Sequence, residues 1–234
     1  MHGAGQERRV TPHLLRIGAG AHPVVVVDTA TGAPDAAVAI AAALAPFPRG
    51  PNPNYPGVRR VIEEADAAAF DYVTGLLEAL APFIAGGFDC GGFDLLEASF
   101  SIVTTPPAVL RPGQRMPHFD STDPRYLAVM HYLGDVAGSG TAFYHQRSTA
   151  IEVVTDDNAA AFLADAQRHA AAFEGYVSGS NAAFEEIGRV DGNRDRVVIY
   201  QGALLHSGII PATMPLDPDP RRGRLTTNIF VRTR

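Results

Sequence analysis

Asp94-Leu95-Leu96-Glu97-Ala98-Ser99-Phe100-Ser101-Ile102-Val103-Thr104 is where the character of the chain changes. From this stretch onward, short apolar runs recur between Gly, Pro, Asp and Asn, the punctuation of a β-rich fold. Strands are expected at 94–104, 127–133, 141–144, 149–154, 196–201 and 225–231. One helical segment, at about 157–187, interrupts the series and carries Phe162, Leu163, Ala166, Phe173, Phe184 and Ile187. A helical leading part followed by many short strands points to an α+β fold with a β-sandwich or barrel core.

Working upstream, residues 13–16 and 22–28 have the clustered β-branched character of short strands. Residues 35–45 read as an Ala-rich helix with Asp35 near its start, ended by Pro46 and Pro48. Residues 49–58 hold three prolines and two glycines, so a stiff irregular loop is expected there. Residues 65–84 form the strongest amphipathic helix. Its apolar face is Ala69, Phe70, Tyr72, Val73, Leu76, Leu77, Leu80 and Phe83, with Gly86-Gly87 as its expected stop. No linker composition marks residue 93, so 1–234 is expected to be a single domain, with 1–93 a support layer for a core at 94–234.

With 234 residues, 46% of them hydrophobic and 19% charged, the chain can bury a core, which excludes wholesale disorder. The formal charge is −6 and no long basic run occurs, so no nucleic-acid partner is expected. All 19 basic residues are Arg. The absence of Lys, with the abundant Ala, reads as the coding bias of a GC-rich genome; it also excludes Schiff-base and phosphate-loop lysine chemistry. A single Cys90 excludes an internal disulfide or a cysteine zinc cluster, and a reducing cytoplasm is the expected compartment. The first nine residues lack the apolar core of a signal peptide. Asp71 and Glu78 interrupt the best candidate for a membrane span, so no membrane is expected either.

The chemistry concentrates in Arg115-Met116-Pro117-His118-Phe119-Asp120. In an extended strand, residues two apart share a face, so His118 and Asp120 can approach one divalent cation from the same direction. A second imidazole from a distant strand would complete a 2-His-1-carboxylate facial set, which leaves coordination positions open and suits non-haem Fe(II). Strands ending in His131-Tyr132-Leu133, the turn Gly138-Ser139-Gly140-Thr141-Ala142-Phe143, and Val197-Val198-Ile199-Tyr200 leading to His206-Ser207-Gly208 follow in order. Arg222-Gly223-Arg224-Leu225-Thr226 opens the last strand.

In these motifs and their order the chain resembles the Fe(II)/2-oxoglutarate-dependent dioxygenases, in particular the prolyl-hydroxylase-like branch, over roughly residues 94–234. The resemblance implies a double-stranded β-helix (jelly-roll, cupin-like) core, with the N-terminal helices packed on it and a helical insert at about 157–187. It implies Fe(II) held by His118, Asp120 and His206, with O2 and 2-oxoglutarate as cosubstrates. Arg224 would pair with the distal carboxylate of 2-oxoglutarate, since a planar guanidinium can meet a carboxylate with two parallel hydrogen bonds. Tyr132 and Thr226 would be further donors to that carboxylate. The chain departs from the family in the interval between His206 and Arg224, lengthened by an insert at 211–220. Arg222 is therefore a rival anchor. The expected activity is hydroxylation of a small molecule or peptide side chain.

Two other function classes stay open at this level. The same fold can bind a metal or ligand without oxygenase turnover, or act as a cupin-type Zn or Mn hydrolase or isomerase. Among the remaining candidates, His131 is expected to pack on the side of its strand opposite Tyr132. His145 is either an ordinary strand-end residue or one that reaches the pocket mouth as a ligand or substrate contact. Cys90 is expected to be a packed or loop thiol. The segment 52–60, with Tyr55, Arg59 and Arg60, is either a structural connection or a lid over the barrel mouth. Arg59, Arg60, Arg115, Arg147 and Arg222, if near that mouth, hint at an anionic or polar substrate.

Overall fold

A computed structural model describes residue 10 and residues 12–49 and 54–234. The strand series folds into two antiparallel sheets. The larger is built from β1 (Pro12–Ile17), β2 (His22–Val27), β3 (Gly57–Val61), β4 (Phe93–Val103), β5 (Tyr126–Tyr132), β8 (Arg196–Gln201) and β10 (Leu225–Thr233). Their spatial order is β1-β2-β8-β5-β10-β4-β3. The smaller contains β6 (Gly140–Gln146), β7 (Phe184–Asp191) and β9 (His206–Ile209), ordered β7-β6-β9. Val24, Val26, Ala128, Tyr132, Phe143, Val198 and Tyr200 pack together from both sheets. This is the double-stranded β-helix expected from the motifs. The upstream strands do more than support it: β2 pairs with β8 and β3 with β4, so they widen the large sheet at both edges.

The back of the large sheet is closed by α1 (Pro34–Ala43) and α2 (Ala67–Phe88). Along α2, Ala69, Val73, Leu76, Leu77, Leu80 and Ile84 are buried, a helical stripe set against Phe100, Ile102, Val129, Ile199 and Ile229. Each fully buried aliphatic side chain of this kind contributes about 1.5–3 kcal/mol. By length and composition α2 is apolar enough to cross a membrane. Here its apolar stripe covers the sheet, and Asp71 and Glu78 are exposed. The helix also runs through its expected stop. Gly86 and Gly87 are helical, and the turn comes at Asp89, in the left-handed conformation with φ 50°.

The other differences from the sequence expectations lie in the second half. The segment expected as one helix at 157–187 is α3 (Ala159–His169), a short 3-10 turn and an irregular stretch, and from Phe184 onward it is strand β7. The residues expected as a strand at 149–154 make only isolated bridges, Gln146 with Ile151 and Val153 with Leu204. Strand β3 lies where the stiff loop was expected to be ending. The part of that loop at 50–53 and the N-terminal residues 1–9 fall outside the described residues.

Candidate metal centre

His118 is placed by the backbone. Its N–H donates to the carbonyl of His206 at 2.9 Å, and the N–H of His206 donates back to His118 at 2.9 Å. This bridge adds the His118 segment beside β9 in the small sheet. Two residues on, the N–H of Asp120 donates to the carbonyl of Gly202 at 2.7 Å. Gly202 admits this approach because a Cβ there would stand 2.6 Å from the Tyr126 ring and 3.2 Å from the Asp120 Cβ. The extended segment thus turns His118 and Asp120 the same way, as the His-x-Asp spacing predicts.

One ligand atom from each of His118, Asp120 and His206 lies within 4.8 Å of the others. Nε2 of His206 is 3.5 Å from Oδ2 of Asp120, and Nε2 of His118 is 3.9 Å from Oδ1. Adjacent ligands of a cation bound at about 2.1 Å stand roughly 3 Å apart, so the three side chains are close to what one divalent ion needs. Nδ1 of His206 donates to the carbonyl of Leu204 at 2.7 Å, which leaves the Nε2 lone pair facing Asp120. The His118 side chain is 52% exposed; partial desolvation and the neighbouring His206 lower its imidazole from the ordinary value. Burial likewise pulls His206 down to about 4, against the Leu204 carbonyl. Both rings are therefore neutral near pH 7, the form that ligates metal. Burial raises the Asp120 carboxyl, while His118 and Arg59 oppose the rise.

The three residues open on a cavity of about 550 Å³, within the range of small-molecule sites. Arg224, just before β10, and alternate residues of the strand, Thr226, Asn228 and Phe230, form one wall. Arg224 is 5% exposed. Its Nε donates to Ser139 Oγ at 2.6 Å and one Nη donates to the Gly140 carbonyl at 3.1 Å. Its guanidinium carbon also stands 5.7 Å from the centre of the Tyr132 ring. Arg222, the rival anchor, is 68% exposed and pairs with Asp217 at 3.0 Å. It sits in the turn before β10, where strand alternation does not apply.

Thr226 lines the cavity, and Tyr132 stands behind the wall. The Tyr132 hydroxyl bonds Thr141 Oγ1 at 2.6 Å, so Thr141 is the group presented to the interior, and Tyr132 fixes it. Other tyrosines line the cavity, Tyr55, Tyr176 and Tyr200. Tyr55, on the loop before β3, lines the cavity with its hydroxyl buried. Burial pushes that hydroxyl up to about 12, while Arg224, Ser101 and Arg59 pull the other way. Asn54, Pro56 and Arg59 line the cavity with it, so the described part of the segment 52–60 faces the mouth. No local pattern marks Tyr55 as a site residue; its loop does.

Other sequence candidates lie elsewhere. His131 is fully buried on the opposite side of β5, with Nδ1 2.6 Å from the Tyr72 hydroxyl and Nε2 3.0 Å from Asp195 Oδ1. His145 lines a separate shallow depression with His22 and Glu152. Arg60 bonds Asp66, Arg115 bonds the carbonyls of Leu110 and Phe173, and Arg147 bonds Glu185. Of the five arginines expected near the mouth, Arg59 lines the cavity. Cys90 is a half-buried free thiol.

Comparison with known proteins agrees with this architecture. The non-haem α-ketoglutarate-dependent epimerase SnoN from nogalamycin biosynthesis, solved in complex with Fe3+, α-ketoglutarate and nogalamycin RO, is 15% identical. The match covers 90% of this chain and 78% of that one, with a TM-score of 0.52. HygX from Streptomyces hygroscopicus, solved with nickel and 2-oxoglutarate bound, is 16% identical, with 90% and 82% covered and a TM-score of 0.50. At these identities the likeness is one of fold, the fold of the 2-oxoglutarate-dependent enzymes. No curated protein matches the chain. Over residues 8–231 the sequence matches the model of a family of unknown function, DUF6445, and the chain belongs to that family.

Proposed function

We propose that this protein is a non-haem Fe(II)- and 2-oxoglutarate-dependent oxygenase that hydroxylates a small molecule or a peptide side chain. The observation that carries the reading is the meeting of His118, Asp120 and His206 on the same cavity as a buried Arg224. Three residues from one side would hold the metal and leave its other positions free. A guanidinium inside the cavity, fixed by Ser139 and Gly140, would answer a dicarboxylate. Fe(II) bound there would supply the redox chemistry in which O2 gives one oxygen atom to a C–H bond and one to 2-oxoglutarate, releasing succinate and CO2.

The chain's own residues account for the rest. His206, fixed by Leu204, offers Nε2 without reorienting. Arg224 and Thr226 would hold the distal carboxylate of the cosubstrate, in the same cavity that Asp120 lines. Phe119, Phe162 and Phe230 line the cavity with apolar surface that excludes water from the reacting groups. The test is anaerobic titration with Fe(II) and 2-oxoglutarate, then admission of O2 and assay for succinate. Succinate that depends on Fe(II) supports the reading. Binding of Zn(II) without any uptake of 2-oxoglutarate would replace it with a hydrolase or isomerase of the same fold.

A further inference from the structure

Arg59 is a second guanidinium in the cavity, and the proposed reaction leaves it without a task. It reaches the wall from β3, where it lies in register with Ser101 of β4, itself opposite Thr226 of β10. The side chain then leans away from the Arg224 end. Its Nε donates to Ser99 Oγ at 2.8 Å, one Nη donates to Glu97 Oε1 at 2.5 Å, and its guanidinium carbon is 5.7 Å from the centre of the Phe230 ring. That is the end of β10 next to the metal residues. Phe230 packs on Tyr126 at 5.3 Å between ring centres, Tyr126 abuts Gly202, and Gly202 holds Asp120.

Two features separate Arg59 from a residue that only ties β3 to β4. Its second Nη makes no hydrogen bond among the described residues, so one edge of the planar fork is open. Its partner Glu97 is 44% exposed and outside the cavity lining, and an exposed carboxylate holds a guanidinium weakly. Among the described residues lining the cavity, Asp120 is the one carboxylate, and it belongs to the metal set. With Arg224 assigned to the cosubstrate, the free electrostatic feature at the reacting end is a cation over an aromatic face.

We propose that Arg59 selects the substrate: the molecule placed beside the metal carries an oxyanion, a carboxylate or phosphate, next to an apolar or aromatic body that packs on Phe230. Arg59 takes the oxyanion through its open edge, in the geometry guanidinium and carboxylate or phosphate share. The inference rests on the oxygenase reading, and one experiment separates the two.

Protein loaded with Mn(II) and saturating 2-oxoglutarate is titrated calorimetrically with phenylacetate, phenyl phosphate and the neutral phenylacetamide. The expected result is that at least one anion binds ten-fold or more tightly than the amide. Which of the two does so identifies carboxylate or phosphate as the source. Arg59→Gln should bring the preference within two-fold, and Arg59→Lys, which keeps the charge and loses the fork, should retain part of it. Both variants should still take up Mn(II) and 2-oxoglutarate, which also reports that they fold. Equal binding of anions and amide by the unaltered protein, no binding of either anion, or a preference that survives Arg59→Gln overturns the inference while leaving the oxygenase reading intact. Failure of the unaltered protein to take up Mn(II) and 2-oxoglutarate overturns the oxygenase reading, and this inference with it.

Discussion

Nδ1 of His206 donates to the carbonyl of Leu204, two residues earlier, at 2.7 Å. The bond is local, so the turn leading into β9 selects the tautomer that offers Nε2 to Asp120. A glutamine at this position cannot present an imidazole nitrogen in that direction. His206→Gln should reduce Mn(II) affinity by more than the roughly ten- to hundred-fold typical of losing an outer-shell partner, with the melting temperature little changed. Calorimetric titration of both proteins with Mn(II) checks this.

The two arginines flanking Gly223 differ in surroundings more than in chemistry. Arg224 is buried among Ser139, Gly140 and Tyr132, whereas Arg222 is in solvent with Asp217 and Asp219. Hydrogen bonds to charged groups contribute about 1.5–3 kcal/mol each. Arg224→Gln should therefore raise the 2-oxoglutarate dissociation constant by roughly ten- to hundred-fold. Ser139→Ala, which leaves the guanidinium present and less firmly held, should have a smaller effect. Arg222→Gln should have none. A titration with 2-oxoglutarate in the presence of Mn(II) distinguishes the three, and an effect of Arg222→Gln equal to that of Arg224→Gln would contradict the assignment.

The meeting of His118, Asp120 and His206 was legible in the sequence because metal chemistry admits few residue types and strand alternation fixes their spacing. His118 and Asp120 share a face for the reason any residues two apart do. The surroundings of Tyr132 were not legible, for the converse reason. Tyr132 lies on the expected strand, but which hydroxyl faces the cavity depends on Thr141, which intercepts it, and on a loop some 75 residues earlier that brings in Tyr55. Nothing near Tyr132 in sequence encodes either. The helix expected at 157–187 overran because Phe184 and Ile187, three apart, fit one face of a helix, whereas in strand β7 they point to opposite sides and pack into different clusters. Pairing of β7 with β6, forty residues away in sequence, decides between them.

Asp195 is 4% exposed and accepts hydrogen bonds from the N–H groups of Thr31 and Gly32, from the Thr31 hydroxyl and from His131 Nε2. Burial alone would raise its carboxyl; His131, Thr31 and Gly32 outweigh that and hold it well below the usual carboxylate range. A depressed folded-state value means that the stabilisation is complete above the unfolded value of about 3.9 and is lost as pH falls below it. Asp195→Asn should cost roughly 1–3 kcal/mol between pH 5 and 8. The gap from the unaltered protein should narrow progressively below about pH 4. Urea unfolding at a series of pH values measures it; a gap that stays constant down to pH 2 would show that the charge plays no part.

Gly86 and Gly87 look equivalent in sequence, and both were expected to end α2. In the folded chain both lie inside the helix, and only one is there for steric reasons. A Cβ on Gly87 would stand 2.4 Å from Cγ2 of Val25 on β2, whereas a Cβ on Gly86 meets nothing within 4 Å. Glycine inside a helix costs about 0.5–1 kcal/mol relative to alanine. Gly86→Ala should therefore stabilise the protein by about that amount, since the methyl enters open space. Gly87→Ala gains the same backbone term but must push Val25, a buried residue of the central packing, and overpacking of this kind costs about 1–3 kcal/mol. The two adjacent substitutions should move the unfolding midpoint in opposite directions. If Gly87→Ala were also stabilising, α2 would not press on β2 as closely as the Val25 contact requires.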